Sequence, residues 1–93
     1  MLFHITATHE PTNCSAHKPE RQAAFAQVMQ TAADQGVTLK GVYADAPGHT
    51  IYILAETDSA LAMAKLLDPV LEYGHYQIRP VADARALMAA LQG

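Results

Sequence analysis

A single cysteine, Cys14, occurs in the 93 residues, so no internal disulfide can close. Positive charge is sparse as well. Lys18, Arg21, Lys40, Lys65, Arg79 and Arg85 are scattered, and the formal net charge is -3. Without a basic stripe, neither nucleic acid nor an anionic membrane surface is expected as the main partner. No apolar run approaches the ~20 residues of a membrane-spanning helix. The N-terminus lacks the basic start of a signal peptide, and its short apolar run is broken by His4 and Thr6. The expectation is therefore a soluble, cytoplasmic protein. A Gly-rich phosphate loop, a Ser-His-Asp order and a close carboxylate pair are all missing, which argues against nucleotide chemistry.

What remains suits one compact domain. Half of the residues (51%) are hydrophobic and 16% are charged, the balance of a globular chain rather than a disordered one. A domain this small buries only about 60–65% of its surface, so a partner subunit or a bound ion would help to stabilise it.

Leu2 to Thr8 alternates Phe3, Ile5 and Ala7 with His4, Thr6 and Thr8, the period of a half-buried strand. Glu10 to Lys18 reads as loop. Pro19 and Glu20 suit a first helical turn, Phe25, Val28, Met29, Ala32 and Ala33 recur at helical spacing, and Gly36 supplies the stop. Val37–Ala44 and His49–Glu56 read as an antiparallel hairpin around Asp45-Ala46-Pro47-Gly48. Thr57 or Asp58 is expected to cap a helix over Ser59–Leu67, with Leu61, Ala64 and Leu67 facing the core. Asp68-Pro69 ends that helix. A loop then leads to a fourth strand, Tyr73–Val81, and Asp83 caps a last helix with Leu87, Met88 and Leu91 on its apolar side. Met29, Met63 and Met88 read as core filler.

The order β-α-β-β-α-β with a C-terminal helix predicts an α+β, ferredoxin-like domain with both main helices on one face of a four-stranded antiparallel sheet. The other face must be covered. Ile51 and Ile53 alternate with Tyr52 and Leu54, so both faces of the central strand carry large apolar groups. Two sheets closing into a dimeric α/β barrel would cover the open face, which predicts a homodimer or a larger ring.

The opening Met1-Leu2-Phe3-His4, the chain length, and Gly48-His49 followed by Tyr52 resemble the muconolactone isomerase family, and more broadly the dimeric α/β-barrel superfamily. The resemblance implies paired sheets and a pocket inside the barrel or between sheet and helices. The segment from His9 to Cys14 departs from it and resembles small relatives with a His-x-Pro-x-x-Cys turn. No catalytic residue is carried over from the isomerases.

Two constellations follow. His9, Cys14 and His17 give His-x4-Cys-x2-His just past the first strand. A thiolate with two imidazoles suits copper or zinc and leaves a fourth position for water, a substrate, or another side chain such as His49, His75 or His4. His49 by itself reads as an exposed, inert residue at a strand start. On the open face, Tyr73, His75, Gln77 and Arg79 share one side of the fourth strand and would enter the same cavity as His4. There His4 or His75 would serve as general base, and Arg79 would hold a carboxylate as a planar fork. The leading expectation is a copper- or zinc-binding protein. The alternatives are a metal-free isomerase acting on a small organic acid or lactone through His4, His75 and Arg79, and a non-catalytic binding or stress module.

Overall fold

The computed structural model describes residues 1–14 and 18–93. Strands β1 (Leu2–Thr8), β2 (Thr38–Asp45), β3 (Thr50–Glu56) and β4 (His75–Val81) form one antiparallel sheet in the order β2-β3-β1-β4. Helices α1 (Pro19–Thr31) and α2 (Ala60–Leu67) connect them, and α3 (Ala84–Gln92) follows β4. This is the ferredoxin-like α+β arrangement that the element order predicts.

Alternation along β1 decides which residues meet the helices. Ile5 and Ala7 are buried, as are Ile53, which pairs with Ile5 across to β3, and Ala55, which pairs with Phe3. Val28 and Ala32 from α1, with Met63, Leu66 and Leu67 from α2, complete the core together with Val37 and Val70. Gly36 adopts the left-handed conformation (φ 80°) that ends the first helical stretch, and the Val37 N–H returns to the Ala32 carbonyl at 2.9 Å. The Asp83 carboxylate caps α3 as expected, accepting from the N–H groups of Arg85 and Ala86.

Several details differ from the sequence reading. The cap of α2 is Ser59, whose Oγ accepts from the Ala62 N–H at 3.0 Å, because Asp58 instead takes the Met1 amino group at 2.7 Å. The helix is also turned about its axis. Met63, Leu66 and Leu67 face the core, while Leu61 and Ala64 are exposed. Met29 and Met88 are exposed too, so only Met63 is core filler. Asp68–Tyr73 is not a loop but a run of 3-10 helix packed against α1. That shifts the start of β4 to His75 and sends Tyr73 to the helix side, where the Arg21 guanidinium lies 5.0 Å from its ring centre. In β4, Tyr76 reaches the Val70 carbonyl at 2.8 Å, and burial pushes its hydroxyl pKa up to about 12. Leu87, Met88 and Leu91 of α3 are all exposed. Among the described residues, no helix is long and apolar enough to cross a membrane.

Candidate metal centre

β1 ends at Thr8, which faces Thr50 of β3 and His75 of β4. One step beyond, the His9 N–H donates to the His49 carbonyl at 3.1 Å, so the pairing continues past the strand end and sets two histidines side by side. Their rings stand edge to face with centres 5.2 Å apart. His9 follows Ala7 in the alternation and so lies toward the helix side, whereas His75 shares the open face with Thr8.

The hairpin turn fixes His49. Its N–H donates to the Ala46 carbonyl at 3.2 Å, and the Asp45 carboxylate accepts from the Gly48 N–H at 3.0 Å. His49 itself has φ 50°, the one non-glycine residue with positive φ among those described. Such a conformation costs about 1–2 kcal/mol in a residue with a Cβ, and strain of this kind gathers at functional sites. The residue is half-buried, not exposed as its place after a turn suggests.

Cys14 comes from the other side. Pro11–Asn13 forms one turn of 3-10 helix, and the Cys14 N–H closes it on the Pro11 carbonyl at 3.2 Å. The Thr12 carbonyl is held by the Lys18 ammonium and by Arg21 Nη1, the latter at 3.1 Å. A third constraint lies under His9: a Cβ on Gly74 would run into the Thr8 carbonyl oxygen and touch the His9 Cβ. Glycine at the head of β4 thus lets that strand approach the end of β1.

The result is a cluster of His9, Cys14 and His49, each half-buried and each offering one ligand atom, all within 4.8 Å of one another. Ligand atoms around one tetrahedral zinc stand about 3.3–3.6 Å apart, so modest side-chain rotations bring this set to bonding distance. His9 Nε2 and His49 Nδ1 are buried and bonded to no described residue. Buried polar atoms without partners are uncommon and costly. Burial holds the His9 pKa below the usual histidine value, helped by the nearby His49 and by the Arg21 charge, so the ring stays neutral and keeps a lone pair for a metal. A cavity of about 190 Å³ opens beside the cluster, with Ala44, Asp45 and Ile51 in its wall.

Of the residues singled out in the sequence, the fold brings His9 and Cys14 together and adds His49. His17 lies outside the described residues. The open-face trio is more dispersed. His4 faces Arg79 directly across the β1–β4 pairing and its ring lies 6.2 Å from that of Tyr52. His75 stands opposite Thr8, four residues further along and so roughly 13 Å away. The signal for His49 was present in the sequence: once Thr8 is aligned with Thr50, the next antiparallel pair is His9 with His49.

Known structures share this architecture. Muconolactone isomerase superposes with a TM-score of 0.63 at 19% identity, covering 89% of this chain and 90% of that one. SCO4226 from Streptomyces coelicolor A3(2) superposes with a TM-score of 0.58 at 21% identity, covering 87% of this chain and 98% of that one. At such identities the likeness establishes the fold, the one that the opening residues and the element order suggest. No curated protein matches the chain. The family profile of DUF3303, a domain of unknown function, matches residues 1–93, and the chain belongs to that family.

Proposed function

We propose that this protein binds a transition metal, copper or zinc, through His9, Cys14 and His49. The observation that carries the reading is the convergence of one thiol and two imidazoles within 4.8 Å, with a buried nitrogen on each ring that is bonded to no described residue. Soft sulfur and borderline nitrogen donors suit both ions, and oxygen-seeking magnesium or calcium would gain little here. Three protein ligands leave a zinc ion one position for water or a small molecule, the pattern of catalytic rather than structural sites. His17, three residues after Cys14, remains a candidate for that position. Tag-free protein loaded with zinc or copper and then desalted tests the proposal. It should retain close to one ion per chain, and Cys14→Ala, His9→Ala and His49→Ala should each lose it. His17→Ala separates a closed site from an open one: metal loss assigns the fourth ligand, and full retention leaves the position for an exogenous group.

A second reading has one specific observation in its favour. His4 and Arg79 face each other on the open face of a fold shared with muconolactone isomerase. A metal-free isomerase acting on a small organic acid or lactone would use Arg79 to hold a carboxylate and His4 or His75 to move a proton. Two copies packing their open faces together would enclose that site. Turnover of lactone substrates that is lost in His4→Ala or His75→Ala but kept in Cys14→Ala would favour this reading. No turnover by the wild type would remove it.

A further inference from the structure

Helix α3 and the sheet margin beside α1 are both left uncovered, and they match. The helix is strongly amphipathic, yet Leu87, Met88 and Leu91 are 49%, 58% and 78% exposed. With nine residues it is shorter than the ~12–15 that make an isolated helix even marginal in water, so capping by Asp83 alone does not account for it. It requires an apolar surface to lie on. The helix-facing side of β2 is the converse case. Neither α1 nor α2 reaches fully over it, and a groove of about 290 Å³ remains, walled by Phe25 and Met29 of α1, Leu39 and Val42 of β2, and Ile51 of β3. Val42 is 39% exposed there.

The same chain does not join the two. α3 leaves β4, the edge strand farthest from β2 in the order β2-β3-β1-β4 and so about 14 Å from it across the sheet, and only Ala82 and Asp83 lie between strand and helix. The molecule's longest dimension of 50 Å is about twice the length of a seven-residue strand, in keeping with a helix carried beyond the sheet. A second copy has the missing half of each contact. The helix is about 13 Å long, and the groove along Leu39–Ala44 runs for roughly 17 Å.

We infer that α3 docks, through Leu87, Met88 and Leu91, into the groove between α1 and β2 of a second copy of this chain. Each chain then gives one helix and receives one, and a closed assembly leaves neither surface exposed. The groove shares Ala44 and Ile51 with the cavity beside His9 and Cys14, so the donated helix also shields the cluster's apolar flank. The docking itself does not depend on a metal.

A photo-crosslinking residue at position 91, in an equal mixture of heavy-isotope and ordinary protein, reads the contact directly. The expected product joins copies of different mass and maps to Phe25–Met29 or Leu39–Ala44, and Val42→Glu reduces its yield at least tenfold. Leu87→Glu/Leu91→Glu should lower the assembly mass measured by light scattering while circular dichroism stays native, because both side chains are exposed in the single chain. The same experiment with a chelator present should give the same answer. Crosslinks confined to one chain, crosslinks to the open face, crosslinks into the apolar cleft of about 140 Å³ that Phe3, Met63, Ala64 and Ile78 line between α2 and β4, or no crosslink at all would each overturn the inference.

Discussion

His4 and His9 lie five residues apart on the same strand and its extension, yet their surroundings differ in kind. His4 sits on the open face between Arg79 of β4 and Leu54 of β3, with the Tyr52 ring 6.2 Å away and His75 four residues further along the sheet. Groups so spread need a substrate, or a second sheet, to bring them into one site. His9 sits where three separate segments meet: the end of β1, the 3-10 turn before Cys14 and the hairpin before β3. There the ligand atoms already converge, and the backbone pairing, the Thr12 carbonyl clamp and Gly74 hold them. Preorganisation of this sort is what a metal site requires and what the open face lacks.

The sharpest way to break the contrast is to remove a ligand. Structural zinc sites bind with about 10–16 kcal/mol in total, so losing one of three or four ligands should weaken binding roughly a hundredfold or more. Cys14→Ala and His49→Ala are expected to do so, by competition against a chromophoric chelator, with little change in the apo-protein's melting temperature. Gly74→Ala comes next. Its Cβ meets backbone at Thr8, so a loss of about 1–3 kcal/mol in chemical denaturation is expected, together with weaker metal binding as His9 is displaced. Arg21→Gln should follow, since it frees the Thr12 carbonyl on one side and leaves the Cys14 turn less constrained. Loss of an outer-shell partner usually costs about 10–100-fold in metal affinity. The same change should raise the His9 pKa toward the ordinary value, measurable by NMR, because the Arg21 charge contributes to lowering it.

Acid gives a smaller effect with a definite sign. The folded chain holds the His9 pKa below its unfolded value of 6.5, so the unfolded state takes up the proton first. Stability from this residue is complete above 6.5 and falls as the pH drops through the lowered folded value. The apo-protein should therefore melt at lower temperature on acidification below 6.5, and His9→Gln should show a shallower dependence. On the open face, His4→Ala and Arg79→Ala should leave metal affinity unchanged. A loss of metal in either would dissolve the distinction between the two regions.

Much of the architecture could be read from local chemistry. The alternation in Leu2–Thr8, the stop at Gly36 and the cap at Asp83 are decided by residues within one or two turns, and the fold keeps all three. The phase of α2 was not legible because Ala60–Leu67 is apolar nearly all round, with Lys65 its one charged residue. Which side is buried then depends on tertiary packing rather than on periodicity. The end of that helix was misleading for a related reason: Asp68-Pro69 closes the α-helix, but Pro is compatible with the first positions of the 3-10 run that continues to Tyr73.

The candidate site was half legible. His9 and Cys14 are close in sequence and stand out by residue type, whereas His49 joins them only through strand register, forty residues away. A single-residue slip in that register would carry it to the other face. Its left-handed backbone could not be foreseen from composition either, since a turn ending in Gly48 makes the glycine the expected bearer of positive φ.

If His9, Cys14 and His49 form one metal centre, elemental analysis of tag-free, zinc-loaded and desalted protein will find the ion in the wild type and lose it when any one of the three is replaced. Close to one zinc ion per chain is expected in the wild type and almost none in His49→Ala. A wild type that retains no zinc or copper, or a His49→Ala variant that retains as much as the wild type, would contradict it.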